Sequence, residues 1–134
     1  MNGYKVRFLR NLTLNLACMA CLFNFMQAAH AEQLRLLVQS SPLAGYQYHA
    51  GNEVWGTLRV GDALTLTREP DNRHDRNAVR IDWHGHQLGY LPRAENRDIA
   101  AELDRGTKIE ARIARLHEAS NPWQRVLIDV FVAP

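Results

Sequence analysis

Leu64–Pro92, LTLTREPDNRHDRNAVRIDWHGHQLGYLP, decides how this 134-residue chain folds. Leu64–Thr67 and Ala78–Trp83 alternate apolar and polar residues, the period of half-buried strands. Between them lies a polar corner, Glu69-Pro70-Asp71-Asn72-Arg73-His74-Asp75-Arg76-Asn77. Nine residues exceed the roughly two to five that most hairpin loops use. Long loops carried by a rigid sheet are where recognition groups collect, so this corner is the candidate working site. His84-Gly85-His86 turns the chain into a third strand, Gln87–Leu91, which Pro92 ends.

Working outward, Leu34–Val38 reads as a first strand that Tyr46–His49 continues after a break at Ser40-Ser41-Pro42. Ile99, Ala100 and Leu103 share one face of a helix expected over Ala94–Arg105, and Gly106 stops it. Two longer strands follow. Thr107–Leu116 presents Ile109, Ala111 and Ile113 on one side, and Gln124–Val132 presents Val126, Ile128, Val130 and Val132. Closing about six such strands into a small barrel removes their exposed edges. Trp55, Trp83 and Trp123 read as core or barrel-end residues, and Gly89 as a bulge or close-packing position.

The first 31 residues stand apart. A basic start (Lys5, Arg7, Arg10), a mostly apolar run over Asn11–Met26 and Ala29-His30-Ala31 follow the order of a secretory signal peptide. The run is short for a membrane span of about 20 apolar residues, and Asn15 and Asn24 interrupt it. A buried first helix is the bland alternative. With export, the protein is periplasmic or secreted and has no stable membrane insertion after cleavage; a true start at Met26 would instead make it cytoplasmic.

Cleavage changes the balance of charge. The whole chain has a formal net charge of +2, but all three basic residues of the leader go while all 14 acidic residues stay. Residues 32–134 carry 13 basic side chains and a net charge of −1 with His neutral. Any nucleic-acid surface must therefore be a local patch. Cys18 and Cys21 are lost as well, which excludes a disulfide framework and a thiolate metal site.

The candidate site residues each have two readings. Asn72 and Asp75 suit turn capping, because their side chains readily bond nearby backbone N–H groups. A fixed carboxylate also accepts an exposed hydroxyl well, and a capped loop is a preorganised one. Tyr46 and Tyr48, two apart on a strand, share a face for packing or for base stacking. Arg68, Arg73, Arg76 and Arg80 stand near the corner where they can meet phosphates, opposed by Glu69, Asp71, Asp75 and Asp82. His84-x-His86, with His49 or His74 as a third ligand, makes only a weak metal site, because Gly85 marks a turn. No metal or cofactor is assigned, and no catalytic triad or Gly-rich phosphate loop is present, so a non-catalytic module is expected.

The run Arg68-Glu-Pro-x-Asn-x-x-Asp-x-Asn-Ala-Val79, followed by Gly89-Tyr-Leu-Pro92 and preceded by Gly45-Tyr-Gln-Tyr-His-Ala-Gly51 and Gly61-Asp62, resembles the HIRAN domain over about Leu34–Val132. The resemblance implies a mainly β, small OB-like or SH3-like barrel of about six strands with one or two short helices. It also implies a DNA-binding module. In DNA-repair remodellers the domain binds the 3′ end of single-stranded DNA, stacking bases on aromatic residues and bonding the terminal hydroxyl through an aspartate. By position Tyr48 matches a stacking tyrosine, Asp75 the hydroxyl-binding aspartate and Asn72 a loop asparagine near the terminal nucleotide. His49 and His74 stand where tyrosines are usual. Associations with zinc binding and with acid-anhydride hydrolysis exist only at the level of the family, and the hydrolysis resides in separate helicase domains. An exported protein meets little chromosomal DNA, so a second hypothesis keeps the same face for an envelope protein, peptide or glycan.

Overall fold

The computed structural model of the chain describes residues 34–133; the expected signal peptide lies outside them. Eight elements follow in order: β1 (Leu36–Pro42), α1 (Gly51–Val54), β2 (Ala63–Arg68), β3 (Val79–Trp83), β4 (His86–Tyr90), α2 (Arg97–Asp104), β5 (Ile109–Leu116) and β6 (Val126–Val132). The strands make one antiparallel sheet in the order β1-β6-β5-β2-β3-β4. Among the described residues no helix is long and apolar enough to cross a membrane.

Alternation along the strands builds the core. Leu64, Val79, Ile81, Leu88, Ala111, Ile113, Val126, Ile128 and Val130 are buried together, as the sequence period requires. The sheet turns at β2: Ala63 and Leu64 pair with β5, whereas Thr65–Arg68 pair with β3. Closure is less complete than the expected barrel. Beyond the end of β1, Ala44 exchanges two backbone hydrogen bonds (2.9 and 3.0 Å) with Tyr90 of β4, a single bridge rather than a ladder.

Gly89 makes that bridge possible. Its φ of 154° suits glycine, and a Cβ there would lie 2.4 Å from the Ala44 carbonyl oxygen. The β3–β4 pairing also shifts register between Ile81 and Asp82, so Gly89 serves both close packing and the bulge. His84 (φ 47°) and Gly85 (φ 83°) form the two-residue turn of this hairpin, with both positive angles that a type I′ turn needs.

Several boundaries move. β1 runs through Ser40-Ser41-Pro42 instead of breaking there, as an edge strand can accommodate the proline. Tyr46–His49 does not continue it: Tyr46–Tyr48 is a 3₁₀ turn that follows Gly45 at φ 73°. Helix α2 begins at Arg97 rather than Ala94 and buries Ile99 and Ala100. Gly106 ends it as expected, its N–H bonding Leu103 while Thr107 N–H reaches Glu102. Pro122–Gln124 is a 3₁₀ turn capped by Asn121, so β6 starts at Val126. Trp55 and Trp83 pack against the core, but Trp123 is exposed.

Candidate functional site

The corner between β2 and β3 is rigid because its polar side chains bond its own backbone. Asn72 Oδ1 accepts from the N–H groups of His74 (3.0 Å) and Asp75 (3.2 Å). Asp75 Oδ1 accepts from Asn77 N–H (2.9 Å), and the Asp75 carbonyl accepts from Ala78 N–H. These are the capping bonds that Asn and Asp favour in turns. From behind, Arg68 donates to the carbonyls of Ala78 and Arg76 and pairs with Asp104 at 2.9 Å.

Two long-range anchors tie the corner to the sheet and to α2. The first is Glu69, whose carboxylate accepts from Asn72 Nδ2 (3.0 Å), Tyr90 Oη (3.1 Å) and Arg80 (3.2 Å). The Asn72 amide, with help from the Tyr90 hydroxyl and Arg80, holds the Glu69 carboxyl below its ordinary value against the opposing pull of burial. Burial pushes the Tyr90 hydroxyl up. The Asp82 hydrogen bond, followed by Glu69, raises Arg80. The second anchor is Asn96, whose Nδ2 donates to Asp75 Oδ2 at 2.6 Å.

Beside the corner opens a pocket of about 440 Å³. Ala44, Ala78 and Leu91 give it an apolar floor, and His49, Asn72, His74, Asp75, Tyr90 and Arg93 supply the polar and aromatic lining. Asp75 is the carboxylate among these lining residues and Arg93 the guanidinium. The His49 ring meets Tyr90 edge-on, centroids 5.7 Å apart at 63°. An apolar floor with a few convergent polar groups is the usual form of a small-ligand site.

Of the expected residues, the structure brings His49, Asn72, His74 and Asp75 together around this pocket. Tyr46 and Tyr48 part company, because a 3₁₀ turn does not put residues two apart on one face. Tyr46 is 0% exposed, with its hydroxyl donating to the Gly51 carbonyl and its ring edge-on to Trp55, so it packs and cannot stack on a base. Tyr48 is 80% exposed, adjacent in sequence to His49 but outside the pocket lining. Arg73 is exposed on the corner, and Arg76 lines a separate polar hollow with Arg68, Pro70, Asn77 and Asp104. Arg80 and Arg68 are committed to ion pairs. Arg73, Arg76 and Arg93 make none among the described residues.

Sequence reasoning missed Tyr90, Arg93, Glu69 and Asn96 as parts of the site. The motif Gly89-Tyr90-Leu91-Pro92 marked the first two by adjacency, whereas nothing near Asn96 announces its partner 21 residues earlier. His84 and His86 both lie against Trp83, with ring centroids 4.5 and 6.3 Å away. Among the described residues no group of three His, Cys, Asp or Glu side chains is placed to hold a metal ion.

Comparison with known proteins gives this geometry its family. The chain is 33% identical over 73 residues to a Fanconi-associated nuclease 1 homolog from Oryza sativa subsp. japonica, a match covering 52% of this chain and 7% of that protein. Its fold is similar to a crystal structure of a protein from Lactobacillus plantarum (TM-score 0.65, 25% identity, covering 75% of this chain and 97% of that one). It is also similar in fold to the HIRAN domain of human HLTF (TM-score 0.57, 17% identity, covering 78% and 80%). The family profile of the HIRAN domain matches residues 36–133, and the chain belongs to that family.

Proposed function

We propose that this protein is a non-catalytic module that binds the 3′ end of single-stranded DNA, with the terminal nucleotide in the pocket beside the corner. The observation that carries the reading is the setting of Asp75. Its two oxygens each accept one hydrogen bond, from Asn77 and Asn96, which fixes the carboxylate at the pocket wall. A carboxylate is an acceptor only, so it favours a ligand that brings a donor, such as a terminal hydroxyl, and repels a terminal phosphate. His49 and Tyr90 offer ring surface to a base or sugar, and Arg93 offers a cation to a backbone phosphate. Tyr48 gives a base an exposed ring outside the pocket, worth about 1–3 kcal/mol by stacking.

The test is a titration of the protein with a short oligonucleotide carrying either a 3′-hydroxyl or a 3′-phosphate. Tighter binding of the hydroxyl end is expected; equal binding, or none, overturns end recognition.

A second reading rests on residues 1–31, whose basic, apolar and Ala-x-Ala order is that of an export signal. In it the protein is periplasmic or secreted and offers the same pocket to an envelope protein, peptide or glycan. N-terminal sequencing of the protein from its host tests it: Glu32 as first residue supports export, and a start at Met26 overturns it.

A further inference from the structure

Asn96 is 0% exposed and lies where helix α2 begins. An asparagine at that position ordinarily turns its side chain back to accept an N–H of the first helical turn. Here it makes no such cap. Its backbone carbonyl takes Ala100 N–H, and the side chain reaches instead to the corner, where Nδ2 meets Asp75 Oδ2 at 2.6 Å. The cost is visible: Asn96 Oδ1 is buried and accepts no hydrogen bond among the described residues. The amide cannot be reversed, because that would set its oxygen against a carboxylate oxygen and leave its N–H group unpaired. A side chain that forgoes its local bond, and leaves an acceptor buried and unmatched, serves to orient Asp75.

We propose that Asn96 is the positioning residue for recognition at this pocket, locking the Asp75 carboxylate in the orientation that selects a donor-bearing ligand end. The inference rests on the reading of Asp75 as the hydroxyl acceptor. Asn77 holds one carboxylate oxygen from within the corner, and Asn96 holds the other from α2. With one hold the carboxylate still turns about its χ angles; with both it presents a fixed set of lone pairs to the pocket. Selectivity between ligand ends therefore depends on a residue absent from the pocket lining.

The experiment compares full-length wild type, Asn96→Ala and Asp75→Ala for binding one oligonucleotide with a 3′-hydroxyl or a 3′-phosphate. The expected result for Asn96→Ala is a loss of hydroxyl-end affinity on the order of tenfold, with phosphate-end affinity unchanged. The preference thus collapses as it does in Asp75→Ala. An unchanged preference in a folded Asn96→Ala, or a parallel loss for both ends, overturns the proposal and leaves Asn96 a structural residue. If wild type shows no preference, the reading of Asp75 itself fails, and a preference kept by Asn96→Ala but lost by Asp75→Ala sinks only the Asn96 step. Should Asn96→Ala not fold, the wild-type Asn96 side-chain amide resonances decide. They shift with the 3′-hydroxyl oligonucleotide and not with the 3′-phosphate one if the proposal holds, and respond alike to both if it does not.

Discussion

Two of the regions that line the pocket owe their shape to different physics. The corner, residues 69–77, contributes Asn72, His74 and Asp75, and is held by polar side chains bonded to its own backbone and to Glu69, Arg68 and Asn96. The segment 45–57 contributes His49 and is folded around a buried ring. Tyr46 fills the core there, Gly51 lies so close that a Cβ would come within 2.2 Å of the ring, and Trp55 packs edge-on with Arg125 over its face. One region is thus fixed by directional hydrogen bonds, the other by packing. Damage to each should look different in kind as well as in size.

The largest effect is expected from Tyr46→Ala, which empties a fully buried aromatic site and costs about 3–5 kcal/mol in chemical denaturation. A cost below about 1 kcal/mol would break the contrast, because the segment would then hold without its ring. Asn72→Ala strikes the corner. It leaves two backbone N–H groups without their partner, removes one of the two donors to Glu69 Oε2, and should cost about 1–3 kcal/mol.

Acid should act on the corner through Glu69. The folded-state carboxyl of Glu69 titrates below its ordinary value of 4.5, so its stabilisation is complete above that pH. It is lost as pH falls through the lower folded value, and Glu69→Gln should flatten that part of a stability-against-pH curve. The smallest change in stability, within about 0.5 kcal/mol, is expected from Tyr48→Ala, since the ring is exposed. The same substitution should weaken DNA binding by about 1–3 kcal/mol whatever the chemistry of the 3′ end. A Tyr48→Ala protein that binds as wild type would remove this residue from the site.

What the sequence disclosed follows the same division. The alternation Leu64–Thr67 and Val79–Trp83 and the Asx-rich corner are local signals, and β2, β3 and the capping roles of Asn72 and Asp75 were legible from them. Tyr46 and Tyr48 were not, because spacing by two fits a strand as well as a turn. Burial of one and exposure of the other depend on Gly51, Trp55 and the distant core. The flanking Gly45 and Gly51 were the available clue, since Gly45 takes a positive φ and Gly51 leaves room for the ring. The single bridge between Ala44 and Tyr90 and the reach of Asn96 to Asp75 are long-range contacts with no local signature.

Asp75→Ala tests the account most directly, through isothermal titration of wild type and variant with one oligonucleotide ending in a 3′-hydroxyl or a 3′-phosphate. Wild type should prefer the hydroxyl end, and Asp75→Ala should lose that preference while binding the phosphate end at least as well. A variant that melts earlier yet keeps the wild-type preference would contradict the account and leave Asp75 as a turn cap alone.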